Sequence, residues 1–407
     1  TQLSGNWSSP AVWNRISGGP QNYPVAGDVV TIHASHSVVL DINTGIQDLA
    51  HLIIEGSLTV QDSIKYDLGA SRIDVLGSFT IGTATAPFEH KFTITLTESY
   101  LSDDYTNPLG PDENMTFVVS GGVFEVYGRL ESGAPITSWL QLAEGNSVGS
   151  SSTTLVLESP PAGWKRRDEL VLASTDFDMN QAEVVTVQSV VGSTVTLVSS
   201  TTHSHHGVTE RGLVDERAEV GLLTRSIVIE GAPTSYGAGD ERGGHLMIRK
   251  DAMGGLPSVH IEGVEFRSMG WMGRPGRYPV HFHQLGVVPA GTCTVESSSI
   301  HGCFNRALTI HGTDNVDVRD VVAYDTFGHM YYFEDGSEVG NILEHNLGLV
   351  TRRPEHPMIT HLGDDHPTTG LPYFTTFDEA PATYWITNTD NTFTDNVAGG
   401  SDGHGFW

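Results

Sequence analysis

The chain has 407 residues, 49 of them acidic and 21 basic, for a formal charge of −28. A surface this acidic repels nucleic acid and anionic lipid, so neither is an expected partner. Apolar content is ordinary at 38%, and no apolar run reaches membrane-spanning length, so no transmembrane segment is expected in this chain.

Residues 1–136 read as short β segments punctuated by glycine. Gly27-Asp-Val-Val-Thr-Ile32, His51-Leu-Ile-Ile-Glu-Gly-Ser-Leu-Thr-Val60, Ile73-Asp-Val-Leu-Gly-Ser-Phe-Thr-Ile81 and Val123-Phe-Glu-Val-Tyr-Gly128 alternate or run apolar between turn residues. No helix of useful length is visible. These segments suit the opening coils of a β-solenoid, whose first turns block edge pairing. The chain opens on Thr1 with polar residues, as a mature, processed chain would. Two sequons, Asn6-Trp-Ser8 and Asn114-Met-Thr116, permit glycosylation in an extracellular setting.

Residues 137–218 change character. Leu155-Val-Leu157, Glu169-Leu-Val-Leu-Ala173, Ala182-Glu-Val-Val-Thr-Val187 and Ser193-Thr-Val-Thr-Leu-Val198 are spaced as hairpins, with Gly192-Ser193 at a turn. A small antiparallel β subdomain inserted into the solenoid is expected here. His203-Ser-His-His206 is metal-capable, but a solvated loop is the simpler reading.

From 219 to 407 a theme repeats. Val259-His-Ile-Glu-Gly-Val-Glu-Phe266, Cys293-Thr-Val-Glu-Ser-Ser-Ser-Ile-His301, Val316-Asp-Val-Arg-Asp-Val-Val-Ala-Tyr324 and Asn341-Ile-Leu-Glu-His-Asn-Leu-Gly348 are its copies. A repeat of this length without helical period implies stacked β coils. The expected fold is all-β: a right-handed parallel β-helix (solenoid) with the antiparallel subdomain inserted. Equivalent positions of successive coils then stack about 4.8 Å apart.

Three richer segments punctuate the repeat: Arg277-Tyr-Pro-Val-His-Phe-His283, Asn305-Arg-Ala-Leu-Thr-Ile-His311 and Gly328-His-Met-Tyr-Tyr-Phe-Glu-Asp335. Stacking aligns His283, His311 and Glu334 in one ladder. His281, Thr309 and Tyr332 form a second, and Tyr278, Arg306 and His329 a third. Imidazoles and a carboxylate converging on one point suit a divalent metal, zinc or calcium, or an acid/base constellation. Polar ladders that only knit the coils together are the plainer alternative. The metal candidates are His283, His311, Glu334 and His361, with His281, Asp364 and His366 as further ligands. His361 lies in a loop over 351–380 that is rich in His, Pro and Asp and is expected to fold over the ladder. Cys293 and Cys303 are ten residues apart, compatible with a local disulfide or two buried thiols. Gly403-His-Gly-Phe-Trp407 aligns with the ladder strand, leaving an open edge that further chain or a protein partner would cover.

The chain resembles a known family. Ala26-Gly-Asp-Val-Val30, Val39-Leu-Asp41 and Leu52-Ile-Ile-Glu-Gly-Ser-Leu-Thr-Val60 are similar to the extracellular domain named for its eight glycines. That domain occurs in fibrocystin-like proteins and in hyaluronidases of the cell migration-inducing type. Gly163-Trp-Lys-Arg-Arg-Asp-Glu-Leu-Val-Leu-Ala173, Glu216-Arg-Ala-Glu-Val-Gly-Leu-Leu-Thr-Arg-Ser-Ile227, Gly243-Gly-His-Leu-Met-Ile248 and Phe333-Glu-Asp-Gly336 continue the likeness. The resemblance implies an extracellular or cell-surface glycan depolymerase, with hyaluronan as the named substrate of the animal relatives. A polysaccharide, acidic or neutral, is the expected ligand. His281, His311, Arg306, Glu334 and Asp335 are the catalytic candidates, and Arg277, Tyr332, His329 and Arg352 the substrate-binding ones. Hydrolysis would use paired carboxylates, whereas elimination would use a His or Tyr base with a cation or Arg on the uronate. A structural or adhesive module without catalysis is the alternative, since fibrocystin-like members share the motifs.

Overall fold

The computed structural model describes residues 1–14, 23–43, 48–98, 114–129, 135–232, 241–355 and 380–407. Three parallel sheets of ten, nine and ten strands make the body of the molecule. The chain visits each sheet in turn, so strands adjacent in space are one coil apart in sequence. This is a parallel β-helix. Helical pieces among the described residues are the single 3-10 turns Pro10–Val12 and Met179–Gln181. No helix among them is long and apolar enough to cross a membrane.

Alternation explains the coils. In His51–Ile54, Leu52 and Ile54 point inward and are fully buried, while His51 and Ile53 face outward. The inward residues of all three sheets merge into one core running from Trp7 to Tyr384. The corners repeat as well. Gly263, Ser297, Asp320, His345 and Asp395 each stand between a strand of one ten-stranded sheet and the next strand of the nine-stranded sheet. All have positive φ, from +47° to +69°. After two of these corners asparagines stack: buried Asn346 donates Nδ2–H to half-buried Asn396 Oδ1 at 2.9 Å. Asn341 likewise donates to Asn391 at 3.0 Å.

The solenoid runs without a break across the insertion. Val123–Tyr127 pairs directly with Ser258–Glu262, and Phe92–Leu96 with Ile227–Gly231. Between these coils stands a six-stranded antiparallel sheet. Its order is Trp139–Gln141, Glu219–Leu222, Glu169–Leu172, Glu183–Val191, Thr194–Leu197, Thr154–Val156. The strand Glu219–Leu222, assigned to the β-helix on sequence, therefore belongs to the insertion. Its apolar residues extend the insertion's own core of Leu155, Leu170, Leu172 and Val187.

A second apolar seam docks the insertion on the nine-stranded sheet. It joins Trp139, Val171, Ala173 and Leu223 to Val322, Leu347 and Leu349. Trp139 stacks on His345 at 4.2 Å and donates Nε1–H to its carbonyl at 2.9 Å. Buried Arg225 pins the return of the chain, donating to the carbonyls of Ser297 at 2.7 Å and Leu222 at 2.8 Å. Cys293 and Cys303 are both buried and free, which removes the disulfide option.

Candidate functional site on the outer face of the later coils

Val280–Val287, Leu308–Asp314 and Tyr331–Phe333 are consecutive rungs of one ten-stranded sheet. Val280, Phe282, Leu308, Ile310, Tyr331 and Phe333 point into the core. Alternation therefore sends His281, His283, Thr309, His311, Tyr332 and Glu334 to the outer face. The register pairs His281 with Thr309 and His283 with His311, and then Thr309 with Tyr332. Ile310 pairs with Phe333, so Glu334 stands beside His311. One rung earlier, Arg249 pairs with His283.

The ladder tips meet. His283 Nδ1 lies 3.2 Å from His311 Nδ1, and His311 Nδ1 lies 3.6 Å from Glu334 Oε2. His311 Nε2 is 3.2 Å from Asp335 Oδ2. His281, His283 and His311 each place a ring nitrogen within 4.8 Å of the other two. The chain then turns sharply, with positive φ at Gln284, Gly312 and Gly336. Buried Glu338 holds this corner, its Oε1 accepting from the backbone N–H groups of Gly312 and Asp335, both at 2.9 Å.

Electrostatics follow from burial. His281 is held neutral, its pKa driven far down by desolvation and then by His283 and His311. His283 falls to about 4, again chiefly through burial, with His311 and Arg249 adding repulsion. Burial raises the Glu334 carboxyl, against the pull of His311 and Arg306. His281 Nε2 and Glu334 Oε2 are buried without a hydrogen-bond partner among the described residues. Exposed Arg249 and Lys250 lie at the ladder's earlier end. Near the preceding loop, Arg242 and Arg274 stack on Trp271 at 3.8 Å and 4.7 Å.

The other sequence candidates fall differently. Arg306 is buried, its guanidinium 3.8 Å from the Tyr332 ring centre and 3.2 Å from the Tyr278 hydroxyl. His329 is buried too: its Nδ1 accepts from Ala382 N at 3.0 Å, and its ring packs tilted against Trp385 at 4.2 Å. Tyr332 is 5% exposed. These residues line the inner part of this face, with His329 and Tyr332 both buried. Arg277 is half-buried in the loop that covers His281, its carbonyl accepting from Asn305 at 3.1 Å. Arg352 is on a different face altogether. It lies in the nine-stranded sheet, paired with Asp325 and donating to Asn180 of the insertion at 3.0 Å. His361, Asp364 and His366 lie outside the described residues.

Arg249 and Glu338 were missed on sequence. Arg249 ends an apolar alternation, His245-Leu-Met-Ile-Arg249, that matches the strand ending in His283 one coil later. Glu338 carried no signal, because its role depends on where two backbone N–H groups point.

Two family models match the chain. Residues 13–143 match the G8 domain, and residues 241–407 match the CEMIP beta-helix. Human Fibrocystin-L is 31% identical over 98% of this chain, which spans 10% of that protein. Human cell surface hyaluronidase CEMIP2 is 35% identical over 67% of the chain, spanning 21% of that protein. The human cell migration-inducing and hyaluronan-binding protein is 32% identical over 69% of the chain, spanning 22% of it. Among solved structures, the Gp54 tailspike of Acinetobacter baumannii bacteriophage AP22, in complex with capsular saccharide, covers 73% of the chain and 46% of the tailspike. It is 13% identical with a TM-score of 0.19, too low to carry any conclusion. The chain thus carries a G8 domain at its start and a CEMIP beta-helix after the insertion.

Proposed function

We propose that this chain acts at or outside the cell surface, binding an acidic polysaccharide along the ladder face and cleaving it at His311, Glu334 and Asp335. The observation that carries this reading is the convergence of His283, His311, Glu334 and Asp335 beside exposed Arg249 and Lys250. On a chain of charge −28, a local pair of exposed cations marks where a polyanion can approach. Relatives named as hyaluronidase and hyaluronan-binding protein support the substrate class. Glu334 is the proton donor to the glycosidic oxygen, since its half-buried carboxyl lies against an imidazole and has an oxygen free of other partners.

The test is hyaluronan chain length after incubation with the 407-residue chain and with Glu334→Gln. The wild type shortens the polymer, and Glu334→Gln slows it by about 100-fold or more, as loss of a general acid does. Products absorbing in the ultraviolet signify elimination, and saturated reducing ends signify hydrolysis. Unchanged cleavage by Glu334→Gln removes the residue from the mechanism. Retention of hyaluronan at full length overturns the cleavage reading.

A further inference from the structure

We propose that His281, His283 and His311 together bind one divalent transition-metal ion of the Zn²⁺ type, with Glu334 standing at its open fourth position. The proposal rests on the geometry of these side chains and not on polysaccharide cleavage.

The spacing suits such an ion. Zinc–nitrogen bonds of about 2.0–2.1 Å at tetrahedral angles put neighbouring ligand nitrogens roughly 3.3 Å apart. His283 Nδ1 and His311 Nδ1 are 3.2 Å apart. Two lone pairs facing at that distance repel unless a proton or a cation lies between them. The third nitrogen comes from His281, two residues before His283 on the same side of the strand.

The orientation of the rings is also set from behind. His281 Nδ1 faces the Gly276 carbonyl at 3.3 Å, which places the proton on Nδ1 and the lone pair on Nε2. That Nε2 is buried with no hydrogen-bond partner among the described residues. A buried acceptor without a partner is rare and costly, and a metal ion removes the cost. His311 Nε2 faces the Asp335 carboxylate at 3.2 Å, leaving Nδ1 with its lone pair toward His283. Metal-ligating histidines are held in this way, one nitrogen on the ion and the other donating to a carbonyl or carboxylate.

The donor set also selects the metal. Calcium takes six to eight oxygen ligands and magnesium an octahedron of oxygens, so neither suits three imidazoles. Nitrogen donors favour zinc and its d-block neighbours. Neither cysteine competes, since Cys293 and Cys303 lie on the other two sheets. Glu334 Oε2, 3.6 Å from His311 Nδ1, is placed to hydrogen-bond a water in the ion's fourth position.

The experiment is titration of the chelator-stripped full chain with Zn²⁺ and with Co²⁺, read by calorimetry and by the visible spectrum of Co²⁺. The expected result is one equivalent of Zn²⁺ and a four- or five-coordinate Co²⁺ band, both unaffected by excess Ca²⁺. His283→Ala and His311→Ala each weaken binding at least 100-fold. Asp335→Asn, at an exposed side chain that leaves the fold alone, weakens it about 10- to 100-fold. Failure of the folded wild type to bind Zn²⁺, or unchanged binding in Asp335→Asn and His283→Ala, overturns the proposal. Zinc binding by a chain that leaves hyaluronan intact sustains it while removing the cleavage reading.

Discussion

Gly312 shows how single residues hold the ladder in place. It follows His311 with φ +51°, and a Cβ built there would come within 3.4 Å of Asp335 Oδ2. Gly312→Ala therefore adds left-handed strain of about 1–2 kcal/mol, while its methyl group makes only ordinary contact with Asp335. A melting temperature lower by a few degrees is the expected outcome in a thermal melt. His245 makes a pH prediction of definite sign. Burial, with Arg277 and Arg72 adding repulsion, holds it neutral far below its usual pKa of 6.5. The unfolded chain takes up that proton first as pH falls. The contribution of His245 to stability is thus full above about pH 6.5 and is lost as pH drops below it, by up to about 1.4 kcal/mol per unit. His245→Gln should flatten the decline between pH 6.5 and 5 in melts followed by circular dichroism. An equally steep decline in the variant would show that other groups carry it.

At the scale of elements, the coils are tied by what lies at their corners. Asn346 is fully buried. Its Oδ1 accepts from Val321 N at 3.0 Å, and its Nδ2 donates to Val318 O at 3.0 Å and to Asn396 at 2.9 Å. Asn346→Leu leaves backbone groups unpaired in the interior and should cost about 2–5 kcal/mol in denaturant unfolding. The asparagine rows were legible in the sequence as a five-residue spacing, Asn341 and Asn346, then Asn391 and Asn396. Alternation of apolar residues does not reveal their stacking, because it says nothing about what sits between strands. The insertion is a second case. Arg129 N lies 3.5 Å from Ser226 Oγ, so the chain leaves and re-enters the solenoid at neighbouring points. Replacing residues 130–224 with a short linker should leave the β-helix folded. Exposing Val322, Leu347 and Leu349 should make it prone to self-association, visible by size exclusion. Loss of all cooperative unfolding would show that the two parts fold as one.

For the whole molecule, charge sets how a polyanion is met. A net −28 repels a polyanion such as hyaluronan at long range, so the proposed capture would depend on the few cations beside the ladder. Arg249→Ala should weaken hyaluronan binding several-fold at low salt. The difference should shrink as ionic strength rises beyond 0.1 M, where screening acts within about 10 Å. Equal affinity of variant and wild type at low salt would move the binding face elsewhere.

The solenoid and its ladders are legible in the order of residues along the chain. In a parallel in-register stack, an offset of one coil in sequence is a contact between neighbours in space, so the 23-residue offset from His311 to Glu334 already implies that the two meet. Alternation then assigns inside and outside, which is why Phe282 and His283 part ways. Tertiary structure alone decided what covers the outer face. Ring stacking buries Arg306 and His329 on the same face where His283 remains half-exposed, and the loop through Gly276 closes over His281. Arg352, so close to the ladder in sequence, belongs to another sheet and faces the insertion. Glu219–Leu222 likewise joins the insertion, because its alternation suits either sheet and only the neighbouring strands choose. Periodicity carries the spacing along a coil, but coverage of a face depends on segments far away in the chain, and no local pattern encodes their docking.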